Sequence, residues 1–259
     1  MKRILTALLL IPLIAYVVLW AEFPVFLAVL SAAALLSYRE YNAICAAYGF
    51  GAPGPLGYGA GMLLLIWANQ AWPPWFLVLV FAIGSLLMGM RAGEPAHALP
   101  RAALLLMGVV YIFGCWKCAI PLREDFHSRH WLMYGLLLNW VGDIGAYYIG
   151  RPFGKHKLAP VVSPKKSWEG SIASVLTSVL LAGGYLWYFV PGLNPVAIIG
   201  LTIVANIAGQ LGDLAESALK RGAGVKDSGG ILPGHGGFLD RVDSTLFALP
   251  VVYGYLMLR

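Results

Sequence analysis

An all-α, polytopic membrane protein is the fold class that three observations predict: 12% charged against 59% hydrophobic residues, a mean hydropathy of +0.75, and apolar runs of near-membrane length recurring throughout 259 residues. A soluble domain carries roughly 25% charged residues, so this chain lacks the charge to cover a water-facing surface. Crossing the hydrocarbon core takes about 20 apolar residues. The recurrence of such runs assigns the hydrophobicity to separate spans rather than to one buried core. Within lipid each segment has to satisfy its own backbone hydrogen bonds, which selects helices.

The first run, 4–20, follows Met1, Lys2 and Arg3 and has the outline of a secretory signal. No small-residue cleavage site leads into a soluble mature domain, so it is read as a retained span. Further runs, bounded by charged or Pro/Gly breaks, fall at 23–38, 56–68, 75–90 and 102–121, then at 131–150, 171–190, 196–215 and 244–258. That makes about nine spans.

Nine spans put the N-terminus and the loops after spans two, four, six and eight on one side of the membrane. That side holds 14 of the 18 lysines and arginines; the others are Lys117, Arg123, Arg129 and Arg259. The positive-inside rule therefore places the N-terminus and these loops in the cytoplasm. The net charge of +6 is thus concentrated on one face, suited to anionic headgroups or phosphates. Cys45, Cys115 and Cys118 form no disulfide framework. The Cys115-Trp116-Lys117-Cys118 spacing lies in an apolar segment with no second ligand pair, and reads as packing thiols rather than a zinc or redox motif.

Polarity separates the halves. Of the 12 acidic residues, seven follow Asn139, mixed with most of the loop cations. Residues 1–130 accordingly read as scaffold and lipid contact, and 131–259 as the chemically active part of a single membrane domain, with two cytoplasmic polar loops. Asp143 falls inside the sixth span, and Asn139 and Tyr147, four residues to either side, share its helix face. On the eighth span Asn206, Gln210, Asp213 and Ser217 form a second stripe, with Glu216 one turn from Asp213. Asn139, Asn206 and Gln210 are read as hydrogen-bonding groups between helices. Asp143 and Asp213 are read as functional, because a carboxylate at membrane depth is costly without a cavity or a cation.

After the sixth span, Gly150-Arg151-Pro152-Phe153-Gly154-Lys155-His156-Lys157 fails the Walker A spacing. Arg151, Lys155 and Lys157 serve equally as topogenic charges or phosphate contacts. Ser163-Pro164-Lys165-Lys166-Ser167 is the stronger anion site, since Pro164 bends the chain and the lysines precede a helix N-terminus, where backbone N–H groups favour anions. The second loop, 217–244, interleaves glycines with Lys220, Arg221, Lys226 and Arg241 and with Asp227, Asp240 and Asp243. Glycine allows close backbone approach, the cations suit phosphate and the carboxylates suit a hard metal. A metal–polyphosphate site follows, and magnesium fits it. His235 has no His or Cys partner at zinc-ligand spacing.

The stretch from Ser217 to Asp243 resembles the full signature of the phosphatidate cytidylyltransferase (CDP-diacylglycerol synthase) family, S-x-x-K-R-x4-K-D-x-G-x2-L-P-G-H-G-G-x2-D-R-x-D, at every fixed position. The stretch from Gly142-Asp143 to Gly170 is similar to the family as well, with Ser167 where Thr is common. Across the first half the similarity is diffuse. The resemblance implies conversion of CTP and phosphatidate to CDP-diacylglycerol and pyrophosphate, dependent on magnesium, with a second, monovalent cation also to be considered. It implies a multi-pass protein of the bacterial cytoplasmic (inner) membrane whose site faces the cytoplasm. Asp213 and Asp240 would hold the metal, with Asp243, Asp143 and Asp227 as further ligands or supporting groups. Lys165, Lys166, Ser167, Lys220, Arg221, Lys226 and Arg241 would bind headgroup and triphosphate. Ser163 and Ser217 belong to the same binding elements, and His235, Gly236 and Gly237 would shape the loop around nucleotide.

The expected partners are CTP, a phosphatidate lipid and the membrane itself, with no nucleic acid. Small-residue patches such as 31–34 offer a face either to a second copy, as in a homodimer, or to lipid. Two other functional readings stay open: a related enzyme using CTP with another lipid phosphate, such as a polyprenyl phosphate or an ether lipid, and a transporter whose intramembrane acids bind coupling ions. A transporter predicts paired halves with matching broken helices, and no such repeat is seen. A structural scaffold gives no reason for two loops rich in acids and bases on one side.

Overall fold

The apolar runs fold as helices in a computed structural model of the chain, which describes residues 2–50, 54–67, 74–90, 94–231 and 236–259. Helix α1 (Lys2–Leu19) is followed by α2 (Phe23–Ala47), α3 (Pro55–Ile66), α4 (Pro74–Gly89) and α5 (Ala98–Gly108). From α5 the backbone runs through a π-helical stretch, Val109–Gly114, into the short α6 (Cys115–Lys117) and α7 (Ala119–Glu124). Next come α8 (His130–Phe153), strands β1 (Lys157–Ala159) and β2 (Ser163–Ser167), and α9 (Trp168–Ser178). A second π-helical stretch, Val179–Gly183, then leads to α10 (Gly184–Phe189), α11 (Pro195–Gly222) and α12 (Asp243–Met257).

This is an all-α membrane protein with one small sheet. Among the described residues, Phe23–Ala47, Pro95–Glu124, Trp168–Phe189 and Pro195–Gly222 are long and apolar enough to cross a membrane. Leu10–Leu19, Pro55–Ile66 and Phe76–Gly89 are shorter apolar helices. α8 has the length of a span but is outside that set; Asn139, Asp143 and Arg151 dilute its apolar character. The sheet departs from the expected class. β1 and β2 pair antiparallel, Lys157 opposite Ser167 and Ala159 opposite Ser163. Pro164 is tolerated because both strands of a two-stranded sheet are edges, and so short and polar a pair carries no alternating apolar pattern to announce it.

Two compact units are interleaved along the chain: Met1–Phe26, Cys118–Ala218 and Arg241–Arg259 in the first, Leu27–Lys117 and Leu219–Asp240 in the second. In the first, α8 packs against α1, α7, α9, α10 and α12. A Cβ added at Gly150 would lie 3.1 Å from Gly170 Cα, so two facing glycines let α8 and α9 approach closely, as small residues do in membrane helix pairs. Arg123 is 2% exposed; its Nε donates to Val18 O at 2.8 Å and its guanidinium lies 4.5 Å from the Phe26 ring centroid. Arg129 Nη1 donates to Leu19 O at 3.1 Å. These cations satisfy terminal carbonyls of α1, which have no partner within the helix.

In the second unit, Tyr38 packs its ring 5.2 Å from Phe113 and edge-on 4.8 Å from Tyr58, and Tyr41 OH donates to Leu104 O at 2.9 Å. Lys117 Nζ donates to Trp67 O at 2.7 Å and Leu65 O at 3.3 Å, closing the end of α3. Tyr48 OH donates to Leu219 O at 2.8 Å where the signature loop begins.

Candidate active site

Helix periodicity aligns Asn139 and Asp143 on α8, and Asn206, Gln210 and Asp213 on α11; in the first unit these five residues line a cavity of about 660 Å³. Its amides are committed to packing. Asn206 Nδ2 donates to Ser174 Oγ at 3.1 Å and Ser178 Oγ at 2.9 Å. Gln210 Nε2 donates to Ser171 O at 3.2 Å and Asn206 Oδ1 at 2.6 Å. Asn139 Nδ2 donates to Gly135 O at 3.2 Å and reaches Thr245 Oγ1 at 3.5 Å. Amides satisfied in this way, Asn139 and Asn206 buried and Gln210 half-buried, are the interhelical ties that the sequence suggests.

The hairpin supplies the opposing charge. Ser167 is buried and N-caps α9, accepting a hydrogen bond from Gly170 N at 3.2 Å. That cap fixes the end of β2, and Lys165, Lys166 and Ser167 all line the cavity. Ser163 pairs with Ala159 at the start of β2. Lys166 Nζ lies 2.6 Å from Asp213 Oδ2, and Ser217 Oγ donates to Asp213 Oδ1 at 3.3 Å. Asp143 is exposed, but its exposure opens into the cavity. Its charge is repelled by Asp213 and attracted by Lys166 and Arg241. Asp243, 7% exposed at the first position of α12, feels Asp213, Glu216 and Asp143.

The lining carries four cations (Arg151, Lys157, Lys165, Lys166) and two carboxylates (Asp143, Asp213), an excess of two positive charges. Such a lining attracts polyphosphate while presenting hard oxygen donors. These donors fit magnesium. Among the described residues no group of three or more His, Cys, Asp or Glu side chains is close enough to share a metal ion. Magnesium characteristically takes one or two carboxylates and completes its shell with phosphate oxygens and water.

The signature loop is organised in the second unit. Asp240 pairs with Lys220, their side chains 10% and 9% exposed. Asp240 also accepts from Ser228 N at 3.1 Å and Gly237 N at 2.9 Å. Burial pushes the Asp240 carboxyl up, but Lys220 and the Gly237 and Ser228 N–H groups outweigh it and hold the carboxyl below its ordinary range. Gly236 has φ 79°, a left-handed conformation that favours glycine; a Cβ there would sit 3.1 Å from Asp240 Oδ2 and 3.8 Å from Asp227 Oδ1, so Asp227 and Asp240 flank it. Arg221 Nη1 donates to Val225 O at 3.2 Å, and Arg221 and Lys226 are exposed. His235 lies outside the described residues.

One residue of this loop's environment is missing from the sequence reading. Glu40, on α2, is 3% exposed and meets Ser228 and Leu239. An acid within an apolar helix is a signal in principle. Glu40 falls just beyond the 23–38 run and beside Arg39, where it passes for an end-of-span charge.

The model of the cytidylyltransferase family matches residues 1–259, the whole chain. The chain belongs to that family. The phosphatidate cytidylyltransferase of Staphylococcus aureus (strain COL) is 43% identical over 151 residues, 58% of this chain and 57% of that protein. The protein of the same name from Staphylococcus haemolyticus (strain JCSC1435) is 46% identical over 151 residues, with the same coverage of 58% and 57%. The matched region thus spans little more than half the length of these curated relatives. In the cavity the cationic side chains of Arg151, Lys157, Lys165 and Lys166 share the lining with the carboxylates of Asp143 and Asp213.

Proposed function

We propose that this cytidylyltransferase family member transfers the cytidylyl group of CTP to phosphatidate, releasing diphosphate and forming CDP-diacylglycerol for phospholipid biosynthesis. The observation that carries this reading is the cavity in which Lys165, Lys166 and Ser167 face Asp143 and Asp213. The names of the Staphylococcus relatives support the choice of substrates.

In the reaction, a phosphate oxygen of the lipid attacks the α-phosphorus of CTP. The new P–O bond forms as the bond from the α-phosphorus to the bridging oxygen breaks, and the electron pair leaves with diphosphate. The attacking oxygen is already anionic, so no general base is needed; positioning and charge stabilisation carry the catalysis. Lys165 and Lys166 neutralise charge growing on the leaving group, and Arg151 and Lys157, on the same lining, attract the acceptor phosphate. Asp213, with Asp143 and Asp243 nearby, would hold magnesium, which supplies further charge neutralisation to the polyphosphate. In the signature loop Arg221 and Lys226 are exposed for phosphate, while Asp240 keeps the Gly236–Gly237 backbone in shape.

The same reading places about nine spans with the N-terminus and polar loops in the cytoplasm, as the distribution of basic residues argues. The membrane would be the bacterial inner membrane, and a homodimer would use small-residue helix faces. Diphosphate release by purified protein given CTP, magnesium and phosphatidate, with each omitted in turn, is the test. Release is expected only with all three together. Equal or faster turnover on a polyprenyl phosphate would reassign the acceptor, and no release under the full mixture would refute the reading.

A further inference from the structure

A carboxylate removed from water is costly unless donors meet it, and Glu40 is such a group, 3% exposed on α2. Its Oε2 accepts from Ser228 Oγ at 2.8 Å and from Leu239 N at 2.7 Å. Its Oε1 is buried and has no hydrogen-bond partner among the described residues. The donors lie on opposite arms of the signature loop. Ser228 Oγ also accepts from Asp240 N at 3.3 Å, while Ser228 N donates back to Asp240 Oδ2 at 3.1 Å. Asp240 in turn holds Lys220 and Gly237 N. Glu40 is therefore joined, through Ser228, to the ties that converge on Asp240. The backbone is built around it: a Cβ at Gly229 would collide with one Glu40 oxygen, and a Cβ at Gly237 with the other and with Ser228 Oγ. Two of the signature glycines thus leave the room that this acid occupies.

We infer that Glu40 is a positioning residue: it clasps the two arms of the signature loop through Ser228 and Leu239 and so holds Asp240 and Lys220 in register, without itself touching substrate. The inference deepens the proposed function by bringing a first-half helix into the service of the loop, and its test separates from that function. Hydrogen–deuterium exchange on purified protein reads the loop whatever the substrate, and diphosphate release reads the reaction.

In Glu40→Ala, the amides of Ser228, Gly237, Leu239 and Asp240 are expected to exchange about tenfold faster or more, as befits a lost buried hydrogen-bond network. Exchange within α8 and α9 should stay unchanged. Glu40→Gln keeps one oxygen for both donors and is expected to restore most of the protection. In wild-type protein that turns over CTP, kcat should fall with Glu40→Ala while the protein stays monodisperse. Ser228→Ala alone should speed exchange at Leu239 and Asp240, and the double variant Glu40→Ala/Ser228→Ala should be no worse than Glu40→Ala. Wild-type protection at the four amides in Glu40→Ala overturns the inference, as do fully additive effects in the double variant. If Glu40→Ala cannot be isolated folded, unchanged protection in Ser228→Ala overturns it. Absence of turnover in the wild type would sink the proposed function and leave the exchange test of Glu40 intact.

Discussion

Replacing Lys220 with methionine keeps an unbranched side chain, one atom shorter, and removes the charge from a site where both partners are nearly sealed off, 9% and 10% exposed. Removing one member of a buried ion pair costs about 3–5 kcal/mol, because the other charge is left uncompensated. Asp240 retains the N–H groups of Ser228 and Gly237 as donors, which places Lys220→Met near the lower end, about 3 kcal/mol. For a chain of this size roughly 2–4 °C of unfolding midpoint accompanies each kcal/mol, so a loss of roughly 6–12 °C is expected at neutral pH. The pH dependence follows from the direction of the Asp240 shift. Its folded pKa lies below its unfolded value, so the unfolded state binds more protons across that window and stability rises with pH through it. The contribution is fully present above about pH 3.9, the ordinary aspartate value, and is lost as pH falls through the depressed folded pKa. Thermal unfolding of wild type and Lys220→Met in the same detergent, from neutral pH downwards, should give curves that converge at the acid end. Lys220→Met/Asp240→Asn should recover more than half the loss, since neither charge is then stranded. A midpoint shift under about 2 °C for Lys220→Met, or a deficit independent of pH, would refute the reasoning.

If the proposed function holds, Asp213→Asn should lower diphosphate release at least about 100-fold while leaving membrane insertion intact, because it removes a carboxylate from the cavity lining; near-normal kcat in purified protein would take Asp213 out of the chemistry. Ser167→Ala deletes the N-cap of α9 and should destabilise by about 1 kcal/mol, with a raised KM for CTP or lipid as Lys165 and Lys166 lose their fixed position; an unchanged KM and midpoint would count against the cap as organiser. For topology, a single cysteine at Gly230, where a side chain meets open space, suits labelling better than one at Gly229, which Glu40 fills. It should react with an impermeant maleimide only after cells are opened, and labelling of intact cells would reverse the cytoplasmic assignment.

Much of the cavity could be read from residue types and spacing. Asp143 and Asp213 stood out because an acid in an apolar helix is expensive, and three- and four-residue spacing put their neighbours on the same face. Ser167 was legible as part of a helix start. The pairing of Lys157 with Ser167 was not, since strands this short carry no periodic signal. That Lys166 reaches Asp213 across 47 positions of chain is likewise a matter of packing.

By itself, the sequence determined the solvent in which this protein folds and the signature that names its family, because each is a property of composition or of residues close in the chain. Only tertiary structure decided that the signature loop closes on Glu40, 188 residues before Ser228. A hydrogen bond at that separation leaves no local periodicity. It depends on which helix face happens to meet the loop, and that is set by the packing of the whole unit.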